Sequence, residues 1–179
     1  MKFNGLCKSI DYTIIIAFMG GFIVQGAMEE IFCRGFLMKS LSKRVTITMS
    51  IFISSFLFAL PHFPSLFQAD FVYCITGVIN LFLISIIFSL YIINHGNIYV
   101  ACGLHSFWNF ILLNVCGLNL SGIDEHSTSI FSLSTNGNNI FNGGQYGIET
   151  SIFTTLTLSL CAILLYIRFK KLGIKEIVF

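Results

Sequence analysis

Long segments of this chain contain no charged residues. No Asp, Glu, Lys or Arg occurs between residues 45 and 69 or between residues 71 and 123, and the segments 12–28 and 150–167 are uncharged as well. A helix needs about 20 predominantly apolar residues to cross a bilayer, so the run 71–123 is long enough for two crossings. This pattern predicts an integral membrane protein.

The composition excludes the main soluble classes. Charged residues make up 10% of the 179-residue chain, whereas an ordinary soluble domain contains about 25%. The net charge of +2 is too small for a surface that tracks phosphates, so nucleic acid is not an expected partner. Abundant Ile, Phe and Asn are typical of an AT-rich genome, which favours the cytoplasmic membrane of a bacterium as the location.

Charged residues and turn signals divide the chain into about five transmembrane helices. Hydrocarbon offers backbone groups no water to bond, so each crossing should be helical. The sequence therefore predicts an all-α polytopic membrane bundle that forms one domain over residues 1–179, with a long polar loop at 117–147. The predicted helices cover about residues 12–38, 45–61, 71–93, 98–116 and 150–168.

Positive charge predicts the orientation of the bundle. The basic cluster 39–44 and the basic tail 168–175 should both face the cytoplasm, which leaves the polar loop outside. Lys2 and Lys8 oppose this rule, because a single crossing by the first helix places them outside. Further helices upstream or a re-entrant start would remove the conflict.

Three ionisable residues lie within the first predicted helix. A charge inside a membrane span costs several kcal/mol, so Glu29, Glu30 and Arg34 each need a partner or a function. Glu30 and Arg34 are four residues apart with the acid first, which is the favourable order for an ion pair. Glu29 points about 100° away around the helix. It is therefore a spare carboxylate with no partner in its own segment.

Two other predicted helices carry polar residues in apolar surroundings. His62 lies near the end of the second helix, and His105 and Asn109 share one face of the fourth. A single membrane histidine is as readily a hydrogen-bonded packing residue as a functional one. Polar stripes on separate helices avoid lipid by converging, however. The converged set holds a base, two imidazoles and an amide donor, which suits water activation and oxyanion stabilisation.

These residues form three ordered motifs. Glu29-Glu30-x-x-x-Arg34, Phe58-x-x-x-His62 and His105-x-x-x-Asn109 resemble the motifs of the CAAX-protease and bacteriocin-processing (CPBP, Abi) family of intramembrane endopeptidases. The resemblance spans about residues 20–115. The segment from Gly143 to Glu149 also resembles a bacterial branch of that family.

The resemblance implies a helical membrane protease that cuts a membrane-associated protein or peptide. If the motif positions have the roles that they have in the family, Glu29 and His62 would activate the water, and His105 and Asn109 would hold the tetrahedral oxyanion. Glu30 and Arg34 would support them. Members of the family usually have additional helices before the first motif, so this chain is short for the family.

Three alternatives remain at this stage. The family is often labelled as metalloproteases, so Zn²⁺ held by Glu29, His62 and His105, with Glu30 or water as fourth ligand, competes with the metal-free mechanism that we favour. A catalytically inactive bacteriocin-immunity or interaction protein could keep the same residues. A proton-relay transporter is a third reading, although no internal repeat supports it.

Other polar features have ordinary explanations. The six cysteines show no metal-ligand spacing and are expected to pack as small apolar residues. Trp108 is expected to pack in the bundle or to form a wall of the substrate gap. Asp124, Glu125 and His126 in the polar loop are expected to be solvated.

Overall fold

Helices contain most of the described residues. The computed structural model describes residues 1–122, 128–135 and 137–177. Asp124, Glu125 and His126 therefore lie outside the described residues. In chain order the elements are β1 (Lys2–Leu6), α1 (Tyr12–Leu41), α2 (Ile47–Leu66), α3 (Phe71–His95), α4 (Tyr99–Val115), β2 (Phe131–Ser134) and α5 (Ile152–Leu172).

The outer surface of the bundle is apolar. Large hydrophobic side chains such as Phe52, Phe71 and Leu160 are exposed, which is the arrangement expected for contact with lipid. Helices α1, α2, α3 and α5 are long and apolar enough to cross a membrane. Helix α4 is apolar but spans only about 25 Å, less than a typical hydrocarbon core. The predicted all-α membrane bundle is confirmed.

Local sequence explains where the helices begin. The carboxylate of Asp11 accepts hydrogen bonds from the amides of Thr13 and Ile14 at the start of α1. Thr46 and Ser151 cap α2 and α5 in the same way. Such caps satisfy amides that have no partner within the helix.

Helix α2 extends beyond its predicted end at residue 61. It continues through a 3₁₀ turn at Leu60–His62 into a last helical turn at Phe63–Leu66. Pro61 and Pro64 each lie in the first turn of one of these short segments, where a missing amide hydrogen costs no bond. The prolines therefore do not end the helix, and His62 is the last residue of the 3₁₀ turn.

Two helices change to π-helical geometry within or next to their motifs. In α1 the α-helix Tyr12–Glu30 gives way to a π-helix at Ile31–Met38, which is followed by a short α-helical end at Lys39–Leu41. In α4 the α-helix Tyr99–Phe110 gives way to a π-helix at Ile111–Val115. Such segments alter the helical register and are frequent at functional sites.

Close helix packing brings the motif residues together. Helix α1 packs along α4, and α3 packs along both α2 and α5. Gly26 of α1 faces Ser106 of α4, where a Cβ would lie 2.9 Å from the Ser106 amide nitrogen. The absence of a side chain at residue 26 is therefore what allows the two backbones to approach. This contact lies one turn from Glu29 and Glu30, and Ser106 adjoins His105.

A small sheet that the sequence analysis did not predict joins the two polar segments. Strand β1 pairs antiparallel with β2, which lies in the segment predicted to be a loop. The register is irregular between Phe3 and Leu6, where Gly5 adopts a φ of 97°. The pairing holds the N-terminal segment beside the polar segment after α4, at one end of the bundle.

Candidate active site

A fully buried ion pair forms the base of the site. Arg34 Nη1 donates a hydrogen bond of 2.9 Å to Glu30 Oε1, and neither side chain is exposed. Arg34 Nη2 donates to Ser85 Oγ at 2.6 Å, and that hydroxyl donates to Ser55 Oγ at 2.8 Å. The guanidinium also lies 4.4 Å from the centroid of the Phe58 ring. The pair predicted from the four-residue spacing thus ties α1 to α2 and α3.

His105 lies between the two glutamates of α1. Its Nδ1 is 3.0 Å from Glu30 Oε1, and its Nε2 is 3.9 Å from Glu29 Oε2. The ring stacks on Phe88 with a centroid separation of 5.9 Å. One oxygen of Glu30 therefore binds both Arg34 and His105, so the ion pair sets the orientation of the imidazole.

Glu29 is more accessible than Glu30. Its side chain is 23% exposed, and its Oε1 accepts a hydrogen bond of 3.0 Å from Gln25 Nε2. Among the described residues, no hydrogen bond or ion pair joins Glu29 to His62. The imidazole that the structure brings to Glu29 is that of His105, whereas the family resemblance suggested a partnership with His62.

His62 is held by its own helix. Its Nδ1 lies 3.2 Å from the carbonyl oxygen of Phe58, and the two rings are 5.4 Å apart. When Nδ1 carries the hydrogen and donates to that carbonyl, Nε2 remains an acceptor. The local geometry therefore leaves one nitrogen of His62 available to a ligand or to water.

A cavity of about 530 Å³ contacts His62, His105 and Asn109. Asn109 is buried, and in the described part of the chain its amide makes no hydrogen bond. Glu29 is not among the described lining residues, but its partner Gln25 is. The structure thus brings three of the four proposed catalytic side chains to one cavity and places Glu29 beside one of them. Apolar side chains supply most of the remaining wall, including Phe18, Phe22, Leu81, Ile84, Leu104 and Leu158.

Glu149 is a cavity residue to which the sequence analysis assigned no role. Its Oε1 accepts a hydrogen bond of 3.3 Å from Trp108 Nε1, and its Oε2 accepts one of 2.6 Å from the Ser121 amide. Burial raises the pKa of this carboxyl group, and the bonds from Ser121 and Trp108, together with nearby His62, oppose the rise. The sequence feature that could have drawn attention to Glu149 is its position directly before the last uncharged segment, residues 150–167.

The donor groups do not form a prepared metal site. The described residues contain no group of three or more His, Cys, Asp or Glu side chains positioned to hold a metal ion. Nδ1 of His105 is engaged by Glu30, which itself binds Arg34. The ligand set Glu29, His62 and His105 is therefore not assembled around one point in this structure.

Comparison with known proteins points in the same direction as the motifs. The family model described as "Type II CAAX prenyl endopeptidase Rce1-like" matches residues 11–111, more than half of the chain. Searches of curated proteins and of solved structures found no significant match. The matched range runs from the cap of α1 to the start of the π-helical end of α4, and it contains all three motifs.

Proposed function

Because this chain belongs to the type II CAAX prenyl endopeptidase Rce1-like family, we propose that it is an intramembrane endopeptidase that hydrolyses a peptide bond of a membrane-associated protein or peptide. The observation that carries the proposal is the meeting of His62, His105 and Asn109 at one cavity, with Glu29 3.9 Å from His105. A partly exposed carboxylate, two imidazoles and an amide can together supply the general base and the oxyanion donors of metal-free peptide hydrolysis.

In the proposed mechanism Glu29 is the general base. Its carboxylate is partly exposed at the edge of the site, and Gln25 holds one of its oxygens. A water beside the second oxygen would lose a proton to Glu29 as the water oxygen attacks the peptide carbonyl carbon. Glu29 would then give this proton to the amine nitrogen as the C–N bond breaks. His62 assists from across the cavity, since its Nε2 can accept a hydrogen bond from the same water.

His105 and Asn109 form the proposed oxyanion site. The Asn109 side-chain NH₂ supplies one donor. His105 bonds Glu30 through Nδ1, so it can donate from Nε2 only as the imidazolium. Removing one donor from a comparable oxyanion site lowers kcat by about 10²–10³-fold.

The walls of the cavity indicate the type of substrate. Most of the lining is apolar, and the polar groups are confined to a few positions. Such a cavity suits an apolar peptide segment that enters from the bilayer. We place the enzyme in the cytoplasmic membrane of a bacterium and propose that its substrate is a membrane-associated protein or peptide of that cell.

Cleavage assays in lipid nanodiscs test this proposal. The probes are internally quenched peptides with C-terminal CAAX sequences, each made with and without a farnesyl group, and a library of apolar peptides. Products are identified by mass spectrometry. We expect cleavage by the wild-type protein and at least a 100-fold loss in both Glu29→Gln and His105→Ala, because a general base contributes about 10²–10⁴-fold and an oxyanion donor about 10²–10³-fold.

The matched control is Asp70→Asn. Asp70 is an exposed carboxylate between α2 and α3 whose side chain forms no cap on α3, so this change should leave cleavage intact. Cleavage that persists in Glu29→Gln would contradict the proposed base. The absence of any product that depends on Glu29, from an inserted and folded protein, would favour the inactive immunity or interaction protein.

A further inference from the structure

Glu149 joins three separate parts of the chain at the cavity. The residue itself lies in a 3₁₀ turn at Ile148–Thr150, just before α5. Its two carboxylate oxygens reach Trp108 on α4 and Ser121 in the segment after α4. Trp108 precedes Asn109 and follows His105 by three residues, so it belongs to the same stretch of helix as the proposed oxyanion donors.

The backbone around Glu149 is built to hold this position. Gly143 has a φ of 79°, and a side chain there would collide with the carbonyl oxygen of Gly147. The hydroxyl of Thr76 on α3 donates to the Thr150 carbonyl at 2.8 Å. Asn80 on the same helix donates to the Glu149 carbonyl at 2.7 Å. The turn is therefore fastened to α3 through its backbone, which leaves the Glu149 side chain directed at α4.

Ser121 is held in an unusual conformation by this carboxylate. Its φ of 53° makes it the non-glycine residue with positive φ among the described residues. Its amide gives Glu149 the shorter of the two hydrogen bonds, at 2.6 Å. Strained backbone persists where the surrounding contacts over-determine it, and a charge-assisted bond is a strong contact of this kind.

We propose that Glu149 is a positioning residue for the proposed cleavage reaction: its carboxylate clamps Trp108 and Ser121 and thereby fixes the part of α4 that carries His105 and Asn109. The inference rests on the proposed function for its effect on rate. The clamp itself is a property of the fold. Glu149 acts through α4 and does not touch the reacting bond.

Titratable groups around the clamp come from several elements: His105 of α4 and Cys161 of α5 line the same cavity, and Cys74 of α3 acts on Tyr146. His62 of α2 is close enough to act on the Glu149 charge, and Tyr146 lies in the same segment as Glu149. Tyr146 also contacts Ser65 of α2 through its hydroxyl at 3.3 Å. Among the described residues that line the cavity, Glu149 is the one carboxylic acid. Its charge is therefore the one to remove in a test.

The decisive comparison is between Glu149→Gln and Asn94→Ala. A glutamine has only one acceptor oxygen in place of the two that bind separate N–H donors, so Glu149→Gln removes one arm of the clamp. Asn94 of α3 donates to the Leu165 carbonyl of α5 at 3.0 Å and does not line the cavity, so Asn94→Ala removes a contact between helices without touching the clamp or its turn.

With a peptide cleaved by the wild-type protein, we expect Glu149→Gln to lower kcat at least tenfold while KM changes less than threefold. Asn94→Ala should lower the melting temperature and leave kcat within twofold. If kcat per folded molecule is the same in both variants, the positioning role is wrong.

Fluorescence of Trp108 separates the clamp from catalysis. Trp108 is the single tryptophan of the chain, so the emission comes from the indole that donates a hydrogen bond to Glu149. In wild-type protein the emission should change with pH as Glu149 titrates, and Glu149→Gln should remove that change. Glu29→Gln should retain it. If the emission of Glu149→Gln still changes with pH as in the wild type, the clamp is wrong even if the protein is a peptidase. If the change is lost in Glu149→Gln but no variant and no wild-type protein cleaves a peptide, only the proposed function is wrong.

Discussion

Glu30 and Arg34 form an ion pair of 2.9 Å in which both side chains are fully buried. Arg34→Ala would leave the Glu30 carboxylate buried without its main partner. Breaking one side of such a pair costs about 3–5 kcal/mol. We therefore expect Arg34→Ala to lower stability sharply, as measured by thermal melting in detergent, and to abolish cleavage because His105 loses its orientation.

A double variant separates stability from function at this pair. Replacing a buried ion pair with apolar residues of similar volume is often neutral for stability. Glu30→Leu combined with Arg34→Met should therefore melt near the wild type and remain inactive. Glu29→Gln should also melt near the wild type, because Glu29 is partly exposed and unpaired with Arg34. If Glu29→Gln lowers the melting temperature more than Arg34→Ala does, these role assignments are wrong.

The contact between Gly26 and Ser106 sets the separation of α1 and α4. A methyl group at residue 26 would lie 2.9 Å from the Ser106 amide nitrogen and closer still to its hydroxyl oxygen. Since the obstruction includes backbone, relief requires the helices to move apart. Gly26→Ala should cost about 1–3 kcal/mol and widen the gap between Glu29 and His105, so that cleavage falls more than tenfold.

Gly21→Ala is the matched control for that change. Gly21 lies on the same helix, and a Cβ there meets nothing within 4 Å. This variant should be neutral or slightly stabilising, because alanine favours helix over glycine by up to about 1 kcal/mol. Equal losses of activity in the two variants would indicate that the close approach of the helices is not what matters.

Much of the bundle could be predicted because lipid imposes simple rules. The uncharged runs predicted five helices to within a few residues at most ends, since a charge inside a span is costly. The spacing of Glu30 and Arg34 predicted their ion pair directly. The same cost argument predicted that polar residues on different helices would converge, and His62, His105 and Asn109 do contact one cavity.

Features that depend on distant contacts could not be predicted in this way. Strand β1 pairs with β2 across more than a hundred residues, so no local pattern marks it. The π-helical segment after Glu30 also makes contacts with other helices, such as the hydrogen bond from Ser54 of α2 to the Cys33 carbonyl, that no local sequence pattern marks. No individual role was predicted for Glu149, which ends the segment that resembles a bacterial branch of the family, because its partners Trp108 and Ser121 are remote in sequence.

The raised pKa of Glu149 predicts a pH dependence of stability. Burial makes this carboxyl hold its proton more tightly in the folded protein than in the unfolded chain. Its contribution to stability is therefore greatest below the ordinary carboxyl pKa and declines as pH rises through the raised value. The difference in melting temperature between the wild type and Glu149→Gln should shrink over that pH window. A difference that stays constant or grows with pH would contradict the assignment of this shift.

Metal removal tests the chemistry proposed for Glu29. In the described residues, Nδ1 of His105 is taken by Glu30, and no three ligand side chains share one point. We therefore propose that cleavage survives dialysis against EDTA and 1,10-phenanthroline, and that the purified active protein contains no stoichiometric zinc by elemental analysis. A zinc protease holds its metal through three protein ligands and loses activity when the metal is removed. Activity that disappears with the chelator and returns with added Zn²⁺, but not with Mg²⁺, would replace the glutamate mechanism with the metal-dependent one.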